Sequence, residues 1–335
     1  MDKKKMKNFE ENSIKKTWWW ATRSWVEELL DFPLIYFLKD FKWGEKLFLN
    51  MHKFRFFIKR KPVLPMLEYL VSTRCTLNCK HCNTRMPEFT DKTHIKIATF
   101  EEFKNDLDKV LDAVDYINFF GFVGGEPTLA KDLAKMIEYT CSKKQIRQVF
   151  IATNCTILPS EELLEAMKNK KFAVQPSDYS HVKNIKNGVV VRYDEFKQLL
   201  SDNGVKYNNY QEKREAVTWF SLPAVYLDKQ KDDICKCNHD NCVQICNILC
   251  DGFLIPCTMS VHIWRNLELT PEIEKEAVNV RGAKSKKELT NELIDFFARP
   301  YSAFCHYCHF ENIKYDLPCG EQVEDSIETA QGSVS

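Results

Sequence analysis

The chain has 335 residues, of which 44% are hydrophobic and 28% are charged, a composition typical of one large globular domain with an appendage. Its formal net charge of +1 argues against nucleic acid as a partner of the whole chain. The sequence has no run of about 18 apolar residues that would predict a membrane-spanning helix, and its Lys-rich start lacks the apolar stretch of a signal peptide. We therefore expect a cytoplasmic protein, in which the fourteen cysteines stay reduced.

Residues 1–62 differ in composition from the rest of the chain. They contain 15 basic and 8 acidic residues and five of the seven tryptophans. Apolar spacing within residues 24–39 and 43–58 predicts an α-helical N-terminal extension, with breaks at Pro33 and Gly44. Three roles are open for it: packing against the protein, attachment to a membrane surface, and contact with a partner. Packing is favoured because aromatic residues at helical spacing usually face a core.

Strand-like and helix-like stretches alternate between residue 66 and about residue 210. Six stretches have strand composition, at residues 66–73, 116–123, 148–153, 172–174, 189–191 and 205–207. Four stretches have helical apolar spacing, at residues 100–114, 130–142, 160–168 and 193–201. Ser160 is followed by two glutamates and is the expected N-cap of the third helix. Such alternation predicts an α/β fold with a parallel sheet.

Three cysteines lie within eight residues directly after the first predicted strand. Cys75, Cys79 and Cys82 have the spacing CxxxCxxC, which indicates a metal site rather than a disulfide framework. Thiolates are soft ligands that suit iron–sulfur clusters or zinc. The loop provides three ligands where a closed structural site has four. A cluster bound here would keep one iron free for another molecule.

A second motif, Gly124-Gly125-Glu126-Pro127, follows the second predicted strand. Together the two motifs resemble those of the radical S-adenosylmethionine (SAM) enzymes. The resemblance implies a partial (β/α)6 TIM-like barrel, with a [4Fe–4S] cluster on the three cysteines and SAM bound to the free iron. In that family the GGEP segment contacts the amino group of SAM. Glu126 can accept hydrogen bonds from an ammonium, and the glycines allow close backbone approach. The alternative is a zinc knuckle.

Two further stretches lie where the family has SAM contacts. Asn154 follows the third predicted strand and is a candidate polar contact, although Asn at a strand end more often forms a turn. Relatives often have glycine at the position of Cys155. Because this chain has cysteine there, it is open whether the backbone at this position approaches the ligand. Ser177 follows the run at residues 172–174 and could reach the ribose or the carboxylate of SAM.

A second group of nine cysteines lies between residues 235 and 319. The pattern Cys242-x9-Gly252-x4-Cys257, with a predicted hairpin turn at Asp251-Gly252, precedes a CxxC at residues 305–308. This arrangement resembles the C-terminal extension called SPASM or Twitch. The resemblance implies an auxiliary [4Fe–4S] cluster on four cysteines, which are Cys242, Cys257, Cys305 and Cys308.

The upstream auxiliary ligand has alternatives. Cys237 also fits the family spacing, and another alignment places Cys246 there. Ten residues separate Cys308 from Cys319, which favours one auxiliary cluster over two. A zinc site on the CxxC is the alternative to an iron–sulfur cluster, because both use this spacing.

These patterns predict three parts of the chain. Residues 1–62 would form the helical extension, residues 63–232 the radical SAM core barrel, and residues 233–335 a small cysteine-rich auxiliary-cluster domain. The resemblance implies an enzyme that reductively cleaves SAM to a 5′-deoxyadenosyl radical, which abstracts hydrogen from a substrate. An electron donor such as flavodoxin or ferredoxin is then expected. The extension is a candidate for peripheral membrane contact.

The substrate is less well defined than the chemistry. The chain resembles radical SAM proteins commonly encoded among surface-polysaccharide genes. The resemblance rests on the stretch at Ser177, on residues 205–207 and on Trp219. This favours oxidation or epimerisation of a carbohydrate or nucleotide-linked sugar. A maturase of a ribosomally made peptide is the nearest alternative. A noncatalytic iron–sulfur or zinc protein is the alternative from a different class.

Overall fold

The computed structural model of the chain describes residues 50, 53–89, 96–182, 185, 188–208, 218–219, 224–225, 229–242, 247–266, 269–309 and 314–323. The architecture is α/β, with an open and mainly parallel sheet of seven strands. This confirms the predicted fold class of a partial TIM-like barrel.

The described strands are β1 (Val63–Ser72), β2 (Tyr116–Gly124), β3 (Ile146–Thr153), β4 (Phe172–Pro176), β5 (Thr218–Trp219), β6 (Ala224–Val225), β7 (Asn247–Cys250), β8 (Phe253–Ile255), β9 (Val278–Asn279), β10 (Cys308–His309) and β11 (Leu317–Pro318). Seven of them form the main sheet, in the order β4-β3-β2-β1-β7-β8-β9. The other four form two small antiparallel pairs, β10 with β6 and β11 with β5.

The described helices are α1 (Phe100–Ala113), α2 (Leu133–Ser142), α3 (Glu161–Met167), α4 (Tyr193–Asp202), α5 (Asp232–Asn241), α6 (Thr258–Asn266), α7 (Pro271–Glu276) and α8 (Lys286–Phe297). Short turns of other helical types lie at Phe54–Ile58, Met86–Glu88, Pro127–Leu129 and Ala303–Tyr307.

The first four strands and first four helices follow the predicted alternation. Strands β1 to β4 pair in parallel in chain order, and α1, α2 and α3 connect them. The Ser160 hydroxyl accepts a hydrogen bond from the Leu163 backbone N–H, which confirms the predicted N-cap. Parallel pairing brings the carboxyl ends of all four strands to one edge of the sheet.

Two predicted strands are absent from the described part of the chain. Residues 189–191 have no strand pairing, and residues 205–207 make one isolated parallel bridge, between Tyr207 and Val174. Val190 is 61% exposed, so the short β-branched run does not lie in a sheet interior. Apolar composition alone does not distinguish a strand from a connecting segment that leads into a helix.

The other edge of the sheet contains strands from the later part of the chain. β7 pairs in parallel with β1, and β8 and β9 extend the sheet in antiparallel pairing. The predicted Asp251-Gly252 turn is confirmed, because it joins β7 to β8 and both residues have positive φ, 53° and 82°. The sheet therefore continues across the predicted boundary at residues 232/233, and the division into domains stays a prediction.

Aromatic side chains fill the core between the sheet and the first helix. Phe103 of α1 contacts Tyr69, Phe120 and Phe122 with ring-centroid distances of 4.9, 6.1 and 5.5 Å. All four rings are buried. Aromatic pairs at these separations add to the free energy gained by burying apolar surface, so the abundant phenylalanines hold α1 against the strands.

Most of the predicted N-terminal extension, residues 1–49 and 51–52, lies outside the described residues. Its last part forms the π-helical turn Phe54–Ile58. Phe56 is fully buried and contacts Phe297 of α8 edge-to-face at 6.2 Å. This part packs against the protein, as the favoured interpretation expects. None of the helices described here is long and apolar enough to cross a membrane.

An ion pair with a buried carboxylate joins the later part of the chain to α1. The Arg281 guanidinium donates to both carboxylate oxygens of Asp106, at 2.6 and 2.8 Å, and Asp106 is completely buried. We expect Arg281→Met to lower the free energy of unfolding by about 3 kcal/mol, because it leaves a buried carboxylate without its charge partner. Urea denaturation measures the change.

The control is Lys168→Ala, which removes a salt bridge to Glu165 whose side chains are 41% and 71% exposed. Exposed pairs contribute about 0.5 kcal/mol. Equal effects of the two substitutions would show that the Arg281–Asp106 pair does not hold the later segment to the barrel.

Candidate active site

The candidate active site is a cavity at the carboxyl edge of the main sheet. Residues at the ends of four successive strands line it, with Cys75 after β1, Gly124 to Glu126 at the end of β2, Asn154 after β3 and Ser177 after β4. Enzymes of the α/β class bind ligands at this edge of the sheet. All predicted SAM-site residues therefore line one cavity.

The three cysteines of the CxxxCxxC loop all line this cavity. Burial is the main cause that raises the pKa of Cys75 to about 12 and that of Cys79 to about 11, and charge on the neighbouring Cys82 contributes to both values. These two thiols are thus protonated at neutral pH when nothing is bound. Because a metal binds the thiolate, loading the loop must release protons.

The end of β2 contacts the start of the cysteine loop through backbone groups. The Gly125 N–H donates to the Ser72 carbonyl at 2.7 Å, and the Glu126 N–H donates to the Arg74 carbonyl at 2.8 Å. A Cβ atom on Gly124 or Gly125 would come within 2.1 Å of these same carbonyl oxygens. The glycines are therefore required for contact between two backbone segments. The predicted approach to a ligand is a separate role and stays a prediction.

Glu126 joins the ends of β2 and β3. Its side chain is 1% exposed, and Oε1 accepts hydrogen bonds from the Thr128 N–H and hydroxyl, at 3.2 and 2.7 Å, and from the Thr153 hydroxyl at 2.8 Å. Oε2 accepts from the Asn154 N–H at 2.8 Å. Burial raises the pKa of Glu126, and these hydrogen bonds oppose that rise. Since each carboxylate oxygen can accept about two bonds, Oε2 retains room for one more donor.

The Asn154 side chain bonds to the cysteine loop and to its own turn. Its Nδ2 donates to Thr76 Oγ1 at 3.0 Å and to Cys75 Sγ at 3.5 Å. Its Oδ1 accepts from the Thr156 N–H at 3.1 Å, which is the predicted turn-forming role. A contact with SAM stays a prediction. Cys155 has φ 58° and a buried thiol, a left-handed conformation that glycine adopts without strain.

Two aromatic residues line the cavity near Ser177. Tyr179 and Trp219 contact each other edge-to-face at 5.7 Å, and both border the cavity. Burial raises the pKa of Tyr179, so its hydroxyl is neutral. Glu68 of β1 also lines the cavity and is buried. The sequence patterns did not identify these three residues as cavity residues, because each lies within an ordinary strand or loop without a motif of its own.

The four cysteines predicted for the auxiliary cluster lie near one another. Burial raises the pKa of Cys308, and charge on Cys257, Cys305 and Cys242 raises it further, an effect that needs all three sulfurs nearby. Cys257 directly precedes Thr258, which lines the candidate active site. One member of the second group of thiols is thus next in sequence to a residue of the first cavity.

The remaining late cysteines have other surroundings. Cys237 is exposed on α5, and Cys246 lies outside the described residues. Cys235 is buried with its sulfur 3.2 Å from Nδ1 of His306. Cys319 is close enough to Cys79 for the two thiols to interact electrostatically. Of the candidates for the upstream ligand, Cys242 is close enough to Cys308 for its charge to raise the pKa of that thiol.

Gln322 lies beside the cysteine loop, and sequence reasoning missed it entirely. Its Nε2 donates to Cys79 Sγ at 3.4 Å across a separation of 243 residues. No local pattern predicts a contact over that length of chain. Sequence reasoning also missed Thr84, because it lies just after the motif and not within it. Its hydroxyl is within hydrogen-bond distance of Cys82 Sγ, at 3.3 Å.

Residues 69–181 match the Radical SAM superfamily. This region of the chain is a radical SAM domain. Among curated relatives, GTP 3′,8-cyclase of Clostridium botulinum is 32% identical over 105 residues, which are 30% of this chain and 30% of the cyclase. The cyclase of Clostridium acetobutylicum is 33% identical over 96 residues. This chain thus spans about 30% of the length of the curated relatives it matches.

Two solved structures with weak overall similarity to this chain are of AdoMet-bound proteins. "Native anSMEcpe with bound AdoMet and Kp18Cys peptide" is 16% identical with a TM-score of 0.44 and covers 70% of this chain and 83% of that one. "Crystal structure of BtrN in complex with AdoMet and 2-DOIA" is 15% identical with a TM-score of 0.40 and covers 74% and 94%.

A radical SAM domain implies a [4Fe–4S] cluster and SAM. The donor chemistry of the cavity fits both. Three soft thiols on one loop suit an iron–sulfur cluster, and a buried carboxylate with room for one more donor suits the ammonium of SAM. Within the described ranges, no three His, Cys, Asp or Glu side chains are close enough to hold a single metal ion.

The hydrogen bonds of Glu126 give a stability prediction. We expect Glu126→Ala to lower the free energy of unfolding by about 3 kcal/mol, because each buried donor left without an acceptor costs about 1–3 kcal/mol. Urea denaturation of the cluster-free chain under reducing conditions measures it. Thr128→Val removes only part of the network and should cost about 1 kcal/mol. If the two variants were equally stable, the carboxylate would not join the two strand ends.

Proposed function

We propose that this chain is a radical SAM enzyme that abstracts hydrogen from a carbohydrate or a nucleotide-linked sugar. The observation that carries the proposal is the single cavity in which the CxxxCxxC cysteines, the Gly-Gly-Glu segment and an aromatic pair meet. The thiols and the carboxylate support the SAM chemistry. The aromatic pair supports the choice of substrate.

In this proposal Cys75, Cys79 and Cys82 hold the [4Fe–4S] cluster, and Glu126 accepts a hydrogen bond from the ammonium of SAM at Oε2. When bound, the cluster and SAM supply a 5′-deoxyadenosyl radical that takes a hydrogen atom from the substrate. Asn154 orients Cys75 through its N–H···S contact. Ser177 is the proposed contact for the ribose or the carboxylate of SAM, because it lines the same cavity. An external electron carrier such as flavodoxin or ferredoxin supplies the electron.

The other residues of the cavity favour a sugar. Trp219 and Tyr179 offer large apolar surfaces with polar tips, which suit the C–H faces and hydroxyls of a sugar ring. The Glu68 carboxylate can accept hydrogen bonds from sugar hydroxyls. The curated relatives are named for the nucleotide GTP, which supports a nucleotide-linked sugar over a peptide.

We propose that Cys242, Cys257, Cys305 and Cys308 hold an auxiliary [4Fe–4S] cluster. If the reaction is an oxidation, the substrate radical must lose one more electron and a proton. A redox group on Cys257 would be one residue from the cavity that Thr258 lines, which suits it to accept that electron. In an epimerisation the same cluster would be structural.

Iron content tests the two cluster sites. We expect the anaerobically reconstituted protein to bind about eight irons, four for each [4Fe–4S] cluster. The variant with Cys75, Cys79 and Cys82 changed to alanine should keep about four, and so should the Cys305→Ala, Cys308→Ala variant. Iron and zinc analysis by mass spectrometry measures both. Four irons together with bound zinc in the wild type would contradict the auxiliary cluster.

Hydrogen transfer tests the proposed function itself. The reduced, reconstituted full chain is incubated with SAM and a panel of nucleotide sugars deuterated on the ring carbons. We expect one sugar to give 5′-deoxyadenosine that is one mass unit heavier, because the radical takes deuterium from the substrate. Mass spectrometry of the nucleoside measures it, and the triple cysteine variant is the control.

Other outcomes would favour the alternatives. Label transfer from a deuterated peptide panel, with none from any sugar, would favour a peptide maturase. Absence of SAM cleavage under all conditions, with both clusters loaded, would favour a noncatalytic iron–sulfur protein.

A further inference from the structure

The last described residues of the chain pair with the cysteine loop. Residues 321–323 run antiparallel to residues 78–80, with backbone N–H bonds of 2.7 Å from Lys80 to Glu321 and from Val323 to Asn78. The pairing is centred on Cys79, the most buried of the three loop cysteines. This part of the loop is therefore held by a segment from the far end of the sequence.

The residues just before them are attached to the cavity wall. Strand β11 pairs with β5, which contains Trp219. The Cys319 carbonyl lies 3.0 Å from Nε2 of His181. Gly320 has φ 74°, and a Cβ there would lie 2.8 Å from Val182 and 2.9 Å from Tyr179. We call residues 317–323 the C-terminal segment, and it contacts both the cavity wall and the cysteine loop.

The orientation of the Gln322 amide follows from its neighbours. Its Oε1 accepts the Asn78 backbone N–H at 2.8 Å, and its Nε2 donates to the Gly320 carbonyl at 2.6 Å. If the amide oxygen and nitrogen of Gln322 were exchanged, a donor would face the Asn78 N–H and an acceptor would face the Gly320 carbonyl. The two contacts therefore determine the orientation of the amide. The second hydrogen of Nε2 is then directed at Cys79 Sγ, 3.4 Å away. A carboxylate could not make the two donor contacts.

We propose that the C-terminal segment holds the cysteine loop at Cys79, and that Gln322 is a positioning residue whose N–H···S contact makes the bound cluster easier to reduce. The inference rests on the proposed role of Cys79 as a cluster ligand. A reduced cluster has more negative charge on its cysteine sulfurs, and a hydrogen-bond donor directed at one of them stabilises that state. Hydrogen bonds to ligand sulfurs are a known determinant of cluster potential.

The test is a redox titration of the reconstituted full chain, followed by electron paramagnetic resonance. The relevant cluster is the one whose signal changes when SAM is added. At the wild-type midpoint potential, we expect Gln322→Leu to lower the ratio of reduced to oxidised cluster about tenfold. This corresponds to a midpoint potential about 59 mV lower for a one-electron step. Gln322→Glu, which replaces the donor with a negative charge, should lower the ratio at least as much.

Glu321→Gln is the matched control. It changes the adjacent residue and removes the exposed salt bridge to Lys80, but it leaves the backbone pairing and the contact with Cys79 in place. A wild-type midpoint in both Gln322 variants would overturn the role of Gln322, as would an equal shift in Glu321→Gln. A wild type with no SAM-responsive signal would instead contradict the proposed function.

A second measurement tests the segment without any cluster. In the cluster-free full chain, the rate of Cys79 alkylation by iodoacetamide is compared with that of Cys82 by peptide mass spectrometry. We expect Gly320→Val to speed alkylation of Cys79, because the new side chain has no space and displaces the segment. Gly188→Val is the control, since Gly188 has a similar φ of 66° but open space around it. Equal Cys79 rates in the two variants would overturn the proposal.

Discussion

The candidate site depends on the close backbone contact between the end of β2 and the start of the cysteine loop. Two hydrogen bonds, from Gly125 and Glu126 to the loop that follows β1, fix the distance between the two segments. Any side chain at Gly124 or Gly125 would separate them. Glu126 then extends the connection to β3 through its buried carboxylate. The start of the cysteine loop is thus positioned by hydrogen bonds between strand ends, before any cofactor binds.

The two groups of thiols are connected through one sheet. β1 leads into the first cysteine loop, and β7, which pairs with β1, leads through a hairpin toward Cys257. Thr258, the next residue, lines the first cavity. Because both segments follow strands of one hydrogen-bonded sheet, their separation is set by strand geometry rather than by a flexible linker. Such a fixed separation suits the electron transfer that we propose between the substrate and an auxiliary cluster.

The sequence alone predicted the features that depend on residues close together in the chain. Alternating periodicity predicted β1 to β4 and their helices, and residues 251 and 252 predicted a hairpin because both need positive φ. The cysteine spacings predicted both thiol groups. The strand run at residues 189–191 was misinterpreted because its composition does not reveal that Val190 is exposed. The pairing of β7 with β1 and the contact of Gln322 with Cys79 link residues far apart in sequence, which no local pattern reports.

Pairing of the cysteine loop with residues 321–323 has a consequence for biosynthesis. A ribosome releases the chain from its N-terminus, so β1 to β4 can form long before the end of the chain has been made. Asn78 and Lys80 nevertheless have to wait for their backbone partners until residue 323 has emerged. During that interval the loop is open on the side of Cys79. A cluster delivered to the nascent chain would meet an incomplete site, whereas one delivered after release would meet a loop already held in place.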